Sequence, residues 1–332
     1  MSTSLQGMSG RMICSLGCSE VGTCHLKVNE RPVITKLIGF LHPIIHLGFG
    51  IEFNQPAIIA EALAQAAVHD SWMSRLLVPA EKQAAQTPLQ DPQTIVSLLD
   101  KCRATPSLRE AAASTSNNRI RDGILVKAPQ DMLDIVSGYR IPSESTPSDL
   151  LRANAEMTNA AAYFTGAAQR PNKQIKMDFY YMHCINCSIF FTAFLDADWL
   201  RKEDKIRLLE WKVRTDLALY ASRGSPELLI DEIVNYKPKM PSAGQDPWKG
   251  IIDRVLAFED DGHGAKLIRA LAHGQQICSA FEDKEEFRIK KDMWLQLGHM
   301  TIDSVEAEDG IHWVRSTGFD SAWEEVPDRA RL

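Results

Sequence analysis

Residues 57–73 read AIIAEALAQAAVHDSWM, an alanine-rich stretch whose helical character recurs along most of this chain. Alanine and leucine favour the helix, and Pro56 directly before the stretch is typical of a helix's first turn. We therefore expect a helix that begins near Asn54 to Pro56 and ends near His69. A histidine suits a helix C-terminus because the macrodipole is negative there, although His69 could instead belong to a site.

Apolar residues at helical spacing recur in other segments of the chain. These segments are 92–102, 148–164, 178–195, 203–222, 249–259, 262–282 and 287–303. Alternating β patterns are scarce, and no internal repeat is visible. The sequence therefore predicts an all-α, or nearly all-α, multi-helical globular bundle.

The N-terminal part of the chain differs from the rest. Residues 1–32 are rich in Ser, Gly, Met and Cys without periodicity, and we interpret them as a disordered or atypical leader before a helical domain over 33–332. The segment 37–53, LIGFLHPIIHLGFGIEF, is apolar but carries three residues that we expect to break or bend a helix. These are Pro43, Gly48 and Gly50.

Composition and charge exclude several classes of partner. Hydrophobic residues make up 45% of the 332 residues, enough for a substantial core. The net charge of -6 mixes both signs, so no basic patch predicts a nucleic acid or an anionic membrane as partner. No apolar run reaches the roughly 18 residues of a membrane span, and the N-terminus lacks the pattern of a secretory signal. A small molecule is the expected partner.

The seven cysteines are an odd number, which predicts a reducing compartment, and we expect the cytoplasm. Cys184 and Cys187 form a C-x-x-C without a second pair, so we expect them to pack as small hydrophobic residues. The cysteines near the N-terminus and His25 lack standard zinc spacing. Rossmann, P-loop, kinase and nucleophile-elbow fingerprints are missing.

Four of the nine histidines lie in apolar segments: His42, His46, His183 and His263. Each ring nitrogen needs a partner, so histidines from distant apolar segments predict a shared buried polar centre. His42 and His46 are one turn apart and would share a helix face. We favour His46, because the glycines that follow it would leave room for a close ligand. The alternative for each histidine is an ordinary hydrogen bond to a backbone carbonyl.

Four long segments together resemble the questin oxidase-like family. They are GFLHPIIHLGFGIEFNQPAIIAEALAQAAVHD (39–70), DFYYMHCINCSIFF (178–191), DDGHGAKLIRALAHGQQIC (260–278) and WVRSTGFDSAWEEVPDR (313–329). The resemblance covers roughly residues 33–329. It is specific, since long strings agree in order rather than one short motif.

This resemblance implies an oxidoreductase of fungal secondary metabolism. Such enzymes use O2 and NADPH for oxidative ring opening or Baeyer-Villiger-type oxygen insertion on aromatic polyketides such as anthraquinones. Family members carry a longer helical N-terminal region, which this sequence replaces with the atypical leader. The alternative is therefore a catalytically inactive helical protein that retains a ligand pocket or an interaction surface.

We predict a metal site with non-haem iron, whose candidate ligands are His46, His183, His263 and Lys266. A buried lysine can lose its charge and act as a base, or take up CO2 as a carbamate. Imidazole nitrogen and carbamate oxygen would suit iron with room for O2. The alternative is that Lys266 is solvated and pairs with Asp260 or Asp261, at small energetic consequence.

The predicted catalytic residues are His183, Lys266 and Tyr180. Tyr180 would donate a hydrogen bond to a quinone oxygen, although aromatic side chains on a long helix also commonly belong to the core. Five phenylalanines are expected to line a pocket for a flat apolar substrate: Phe49, Phe53, Phe179, Phe190 and Phe191. We expect His299 and His312 at the surface or behind the site.

Overall fold

The computed structural model describes residues 41–86, 93–113, 116–242 and 244–329. Helices dominate these residues, and the strands among them are two short ones. The predicted all-α class is confirmed. The cysteines and His25 of the N-terminal leader lie outside the described residues.

The first half of the described chain contains short and medium helices. They are α1 (His42–Glu52), α2 (Pro56–Val68), α3 (Ser74–Gln86), α4 (Ile95–Ala104), α5 (Pro106–Ala112), a π-helix (Arg119–Ile124), α6 (Leu125–Lys127) and α7 (Pro129–Val136). Helix α2 begins at the expected proline and ends with His69 as its C-cap, as the sequence predicted.

The second half contains the longest helices and both strands. In order they are α8 (Pro147–Ala167), β1 (Met177–Asp178), α9 (Tyr181–Ser188), α10 (Phe190–Asp196), α11 (Lys202–Ser222), α12 (Asp231–Val234), α13 (Lys249–Ala257), α14 (His263–Cys278), α15 (Met293–Val305), β2 (Trp313–Val314) and a 3-10 helix (Asp320–Ala322). Strands β1 and β2 pair in parallel, with Met177 opposite Trp313.

Helix α1 runs unbroken through the proline and glycines, against the expectation of a break. Pro43 lies in the first turn, where the missing N–H costs no intrahelical hydrogen bond. A Cβ on Gly48 would come within 2.2 Å of the Phe190 ring, and one on Gly50 within 2.7 Å of Ile59. The glycines therefore admit neighbouring helices and leave no opening for a ligand.

The single helix expected over 178–195 is two helices that meet at Ile189, whose own φ and ψ of -59° and -30° stay helical. The helical part begins only at Tyr181, because Met177 and Asp178 pair with the C-terminal strand. That pairing joins residues far apart in sequence. Local periodicity does not report it.

Helix α8 lies at the centre of the bundle and is buried from Ala153 to its end. A capping box between Thr146 and Asp149 fixes its N-terminus. Helices α9, α11 and α14 pack around it, and α9 also contacts α1 and α14. The starts of α1 and α14 and the β1–β2 pair thus lie beside α9. Among the described residues, the helices are all too short or too polar to cross a membrane.

Candidate functional site

Three histidine rings meet where the starts of α1 and α14 lie against α9. The ring centroids of His42 and His183 are 5.0 Å apart, and those of His183 and His263 are 5.2 Å apart. The ring of Phe179, just after β1, lies 5.0 Å from His183 and 4.9 Å from His263. We call these four residues the histidine cluster. His183 on α9 contacts all of the others.

A backbone hydrogen bond holds His183 in one tautomer. Its Nδ1 lies 2.7 Å from the carbonyl oxygen of Phe179, and a carbonyl only accepts, so Nδ1 carries the proton. Within the described residues, Nε2 has no hydrogen-bond partner and keeps its lone pair. Burial, reinforced by the nearby charges of His42, His263 and Lys266, lowers the pKa of His183 to about 4. The ring is therefore neutral at pH 7.

His263 is the first residue of α14, directly after Gly262, whose φ of 85° is accessible to glycine without strain. Its Nδ1 bonds the Asp261 carboxylate, and this bond lowers the pKa of Asp261. Lys266 Nζ donates to the carbonyl oxygen of Asp261 at 3.4 Å. Lys266 thus lies at the edge of the cluster beside Asp261, the arrangement given above as the alternative to a ligand role.

His46 lies apart from the cluster. One turn beyond His42 on α1, it places its Nε2 3.4 Å from a carboxylate oxygen of Glu61 on α2. Of the two α1 histidines, it is His42 whose ring contacts His183. The choice of His46 relied on space beside Gly48 and Gly50, but Phe190 and Ile59 occupy that space.

The predicted iron site does not fit these positions. The described part of the chain has no group of three or more histidine, cysteine, aspartate or glutamate side chains that could hold a metal ion. His46 pairs with Glu61, while Lys266 and His263 bond Asp261. We therefore derive no step through a metal.

A small cavity of about 10 Å³ adjoins His183. Its wall is almost entirely apolar. The lining residues come from α9, α11, the π-helix and the segments before α1 and α3: Leu41, Trp72, Met73, Ile120, Tyr180, His183, Thr215 and Leu219. Thr215 donates its hydroxyl to the carbonyl of Trp211 at 2.8 Å, so the threonine's hydrogen is already used. His183 belongs both to this cavity and to the histidine cluster.

Tyr180 lines the same cavity and lies under a buried arginine. The guanidinium carbon of Arg223 is 4.1 Å from the centre of the Tyr180 ring. Asp178 accepts hydrogen bonds from the backbone N–H groups of Tyr180 at 2.8 Å, Ser316 at 2.8 Å and Thr317 at 2.9 Å. Burial raises the pKa of Asp178, and the Thr317 N–H and the charge of Arg223 oppose that rise. Asp178 thereby ties the C-terminal segment to the start of α9.

The C-terminal segment adds aromatic and charged side chains beside the cluster. The Trp313 ring is 6.4 Å from His263 and 6.3 Å from Phe179, and the Arg315 guanidinium lies 4.6 Å from the Phe179 ring centre. A groove of about 240 Å³ runs along β2. Its lining includes Trp313, Arg315, Glu324 and Glu325.

The five phenylalanines do not share one pocket. Phe179 belongs to the cluster, whereas Phe49 and Phe190 pack on each other with centroids 4.7 Å apart. Phe191 is in the core, and Phe53 is 54% exposed. Cys184 and Cys187 are buried free thiols, as expected of small hydrophobic residues.

His299 was expected at the surface or behind the site. The surface position is wrong, because this residue is only 3% exposed. Its Nε2 lies 2.9 Å from Ser242 Oγ, and its buried Nδ1 has no hydrogen-bond partner within the described part of the chain. His312 is half-buried, with its Nδ1 2.7 Å from the carbonyl oxygen of Val305. Neither ring is among the contacts of the histidine cluster.

Sequence reasoning underrated His42 and overlooked Trp313, Arg223 and Asp178. The last three depend on the pairing of β1 with β2 and on the packing of the α11 C-terminus, which no local pattern encodes. The signal for His42 was present, since it shares the apolar segment and helix face with His46.

Comparison with known proteins agrees with the resemblance in the sequence. The model of the questin oxidase-like family matches residues 19–271. The chain belongs to this family. The match begins inside the segment that we interpreted as a leader. It includes all three histidines of the cluster and ends before β2.

Several curated family members are similar over most of this chain. The Baeyer-Villiger oxidase ptaJ of Pestalotiopsis fici is 42% identical over 87% of this chain and 65% of its own length. The Baeyer-Villiger oxidase mdpL of Emericella nidulans is 42% identical over 90% of this chain and 68% of its own. The questin oxidase of Aspergillus terreus is 38% identical, with 87% and 64% covered. This chain spans about two thirds of the length of these relatives.

Proposed function

We propose that this questin oxidase-like protein is an oxidoreductase of secondary metabolism. Its substrate is an aromatic polyketide of the anthraquinone type, and its reaction is oxidative ring opening or Baeyer-Villiger-type insertion of oxygen from O2. The names of these relatives, two Baeyer-Villiger oxidases and a questin oxidase, support this function over the inactive alternative.

The observation that carries the proposal is the state of His183. A neutral imidazole with Nδ1–H bound to the Phe179 carbonyl presents Nε2 as a base. It does so between aromatic rings, in a family whose named members oxidise organic molecules. We assign His183 as the general base of the reaction.

The chemistry of the substrate explains why a base is needed. Removing the proton of a phenolic hydroxyl group places negative charge on the ring carbons near the carbonyl. That charge makes such a carbon able to form a bond to O2. In Baeyer-Villiger insertion, one oxygen atom enters the ring C–C bond, and the other leaves as water with two electrons and two protons from a reductant. His183 takes the first proton, and the negative charge formed on the adjacent substrate helps to stabilise the protonated ring against its lowered pKa. The exposed His42, whose ring centroid lies 5.0 Å from that of His183, offers that proton a path to solvent.

A flat aromatic substrate suits the surface beside this base. The rings of Phe179, His263 and Trp313 lie in mutual contact at angles of 47° to 74° and offer aromatic edges and faces to a substrate. Arg315 supplies a positive charge for a phenolate or carboxylate. Tyr180 stays the predicted donor to a quinone oxygen, and Lys266 adds positive charge near the base.

NADPH, implied by the resemblance, would supply the two electrons. The two spaces described above do not fit it. The cavity admits one molecule of about the size of water, and the groove along β2 sets two glutamates against one arginine. We therefore derive no step through NADPH and name no residue that holds it. The cytoplasmic location likewise stays a prediction.

Replacing His183 by Gln tests the proposed function. Glutamine keeps a polar side chain of similar size but cannot accept a proton at neutral pH. We expect turnover of a hydroxyanthraquinone, followed as O2 consumption, to fall by about 10²- to 10⁴-fold, the usual contribution of a general base. The matched control is His46→Gln on the neighbouring helix, which should keep turnover within about twofold because its Glu61 pair is a partly exposed one of small energetic value. Equal turnover in both variants would refute the role of His183.

A further inference from the structure

The cavity beside His183 has properties that distinguish it from a water site. A buried water typically makes about three hydrogen bonds, and apolar cavities stay dry and bind apolar gases such as xenon. Here the wall is almost entirely apolar, and the Thr215 hydroxyl hydrogen is already donated to Trp211. A water there would find the lone pair of His183 Nε2 as an acceptor but little else in a wall that is almost entirely apolar, so it would fall short of its usual three hydrogen bonds.

The size of the cavity selects a very small guest. A volume of about 10 Å³ leaves room for one molecule of about the size of water or O2, and none for an aromatic ring. Leu41, Ile120 and Leu219 in its wall are each at most 3% exposed, so core side chains form this part of the wall, while Tyr180 is half-buried. O2 is small and apolar, and it gains from leaving water for such a space.

The position of the cavity would bring bound O2 close to the reacting substrate. His183 lines the cavity and also contacts His42, His263 and Phe179. A substrate deprotonated by His183 would therefore lie next to the cavity, because His183 also lines it. The cavity would raise the local concentration of O2, the second reactant. Holding two reactants close together removes much of the entropic barrier to their reaction.

We propose that the cavity lined by Leu41, Met73, Ile120, Thr215 and Leu219, closed by Tyr180 and His183, is the O2-binding site of this protein. This proposal rests on the proposed function for its meaning, but O2 occupancy can be measured without turnover.

The direct test uses O2 itself as the probe. Dissolved O2 is paramagnetic and speeds the NMR relaxation of nearby methyl groups. In the full chain labelled with ¹³C at its methionine methyl groups, O2 should relax Met73 several-fold more than Met132. Both methionines are at most 1% exposed, but only Met73 is in the cavity wall. Equal relaxation of the two methyl groups would overturn the proposal.

A filled cavity links occupancy to the reaction. Leu219→Phe on α11 should abolish the excess relaxation of Met73 and lower kcat/KM for O2 by about tenfold, equivalent to about 1.4 kcal/mol of lost binding. The KM for the hydroxyanthraquinone should not change. Leu208→Phe is the matched control, because it makes the same change at a buried position of α11 outside the cavity and should leave both readouts as in the wild type. Ile120→Phe fills the cavity from the π-helix and replaces Leu219→Phe if that variant does not fold.

The two proposals fail in different ways. Selective relaxation of Met73 in a protein without His183-dependent turnover would support the O2 site and refute the proposed oxidase function. His183-dependent turnover with unchanged kcat/KM for O2 in a folded, cavity-filled variant would refute the O2 site and leave the function standing.

Discussion

The histidine cluster and the cluster around Asp303 both bury titratable side chains, and they differ in what those side chains leave unpaired. Asp303 on α15 is 4% exposed and bonds the Arg254 guanidinium at 2.7 Å and the Tyr236 hydroxyl at 2.7 Å. Arg254 also pairs with Glu306. Opposite charges there neutralise one another. His183, nearly as buried, is uncharged and keeps the lone pair of Nε2. Removing one partner from the buried ion pairs around Asp303 would cost stability, whereas the unpaired Nε2 of His183 is available for proton transfer.

Breaking the Asp303 cluster should produce the largest loss of stability. Arg254→Met leaves the Asp303 carboxylate buried without its cation, and we expect unfolding free energy to fall by about 3 kcal/mol or more. Urea unfolding measures this change. Arg103→Met removes an exposed pair with Glu227 and should cost at most about 1 kcal/mol. Turnover per folded molecule should persist in Arg254→Met, and its loss in well-folded protein would show that the two regions do not divide stability and chemistry as described.

The histidine cluster should instead change how the free energy of unfolding depends on pH. The folded pKa of His183, about 4, lies below the usual 6.5, so the unfolded chain binds this proton first as pH falls. The contribution of the neutral His183 ring to the free energy of unfolding is present above pH 6.5 and is lost as pH falls towards 4. Between pH 7 and pH 4.5 we expect a loss of about 2 to 3 kcal/mol that His183→Gln does not show. Urea unfolding of both proteins at the two pH values measures it, and parallel losses would contradict a depressed pKa.

The sequence could predict the features that depend on local patterns of residues, and not those that depend on which helices pack together. Helices such as α2 follow from alanine content and the proline at the start, and the family follows from long matching strings. His183 is recognisable because apolar neighbours surround it, and His263 because it begins a helix with an apolar face. His42 and His46 are indistinguishable by pattern, since the neighbour that decides between them is α9 for one and Glu61 for the other.

The remaining features that the sequence did not predict depend on contacts between segments that are far apart in the chain. Trp313 reaches the cluster because β2 pairs with β1 across more than a hundred residues. Asp303 lies near other acidic residues in the sequence, a pattern typical of a solvated surface, yet tertiary packing buries it against Arg254. Such contacts depend on how helices pack together, which residue periodicity does not specify.

The ¹⁵N NMR spectrum of the histidine side chains at pH 7 would report the protonation state and tautomer of His183, on which its role as the base depends. Comparison of wild type with His183→Gln assigns the His183 ring. We expect a neutral ring with the proton on Nδ1 and a lone pair on Nε2, unchanged down to about pH 5 because its pKa is about 4. A ring that is protonated at pH 7, or that carries its proton on Nε2, would contradict the assignment of His183 as the base.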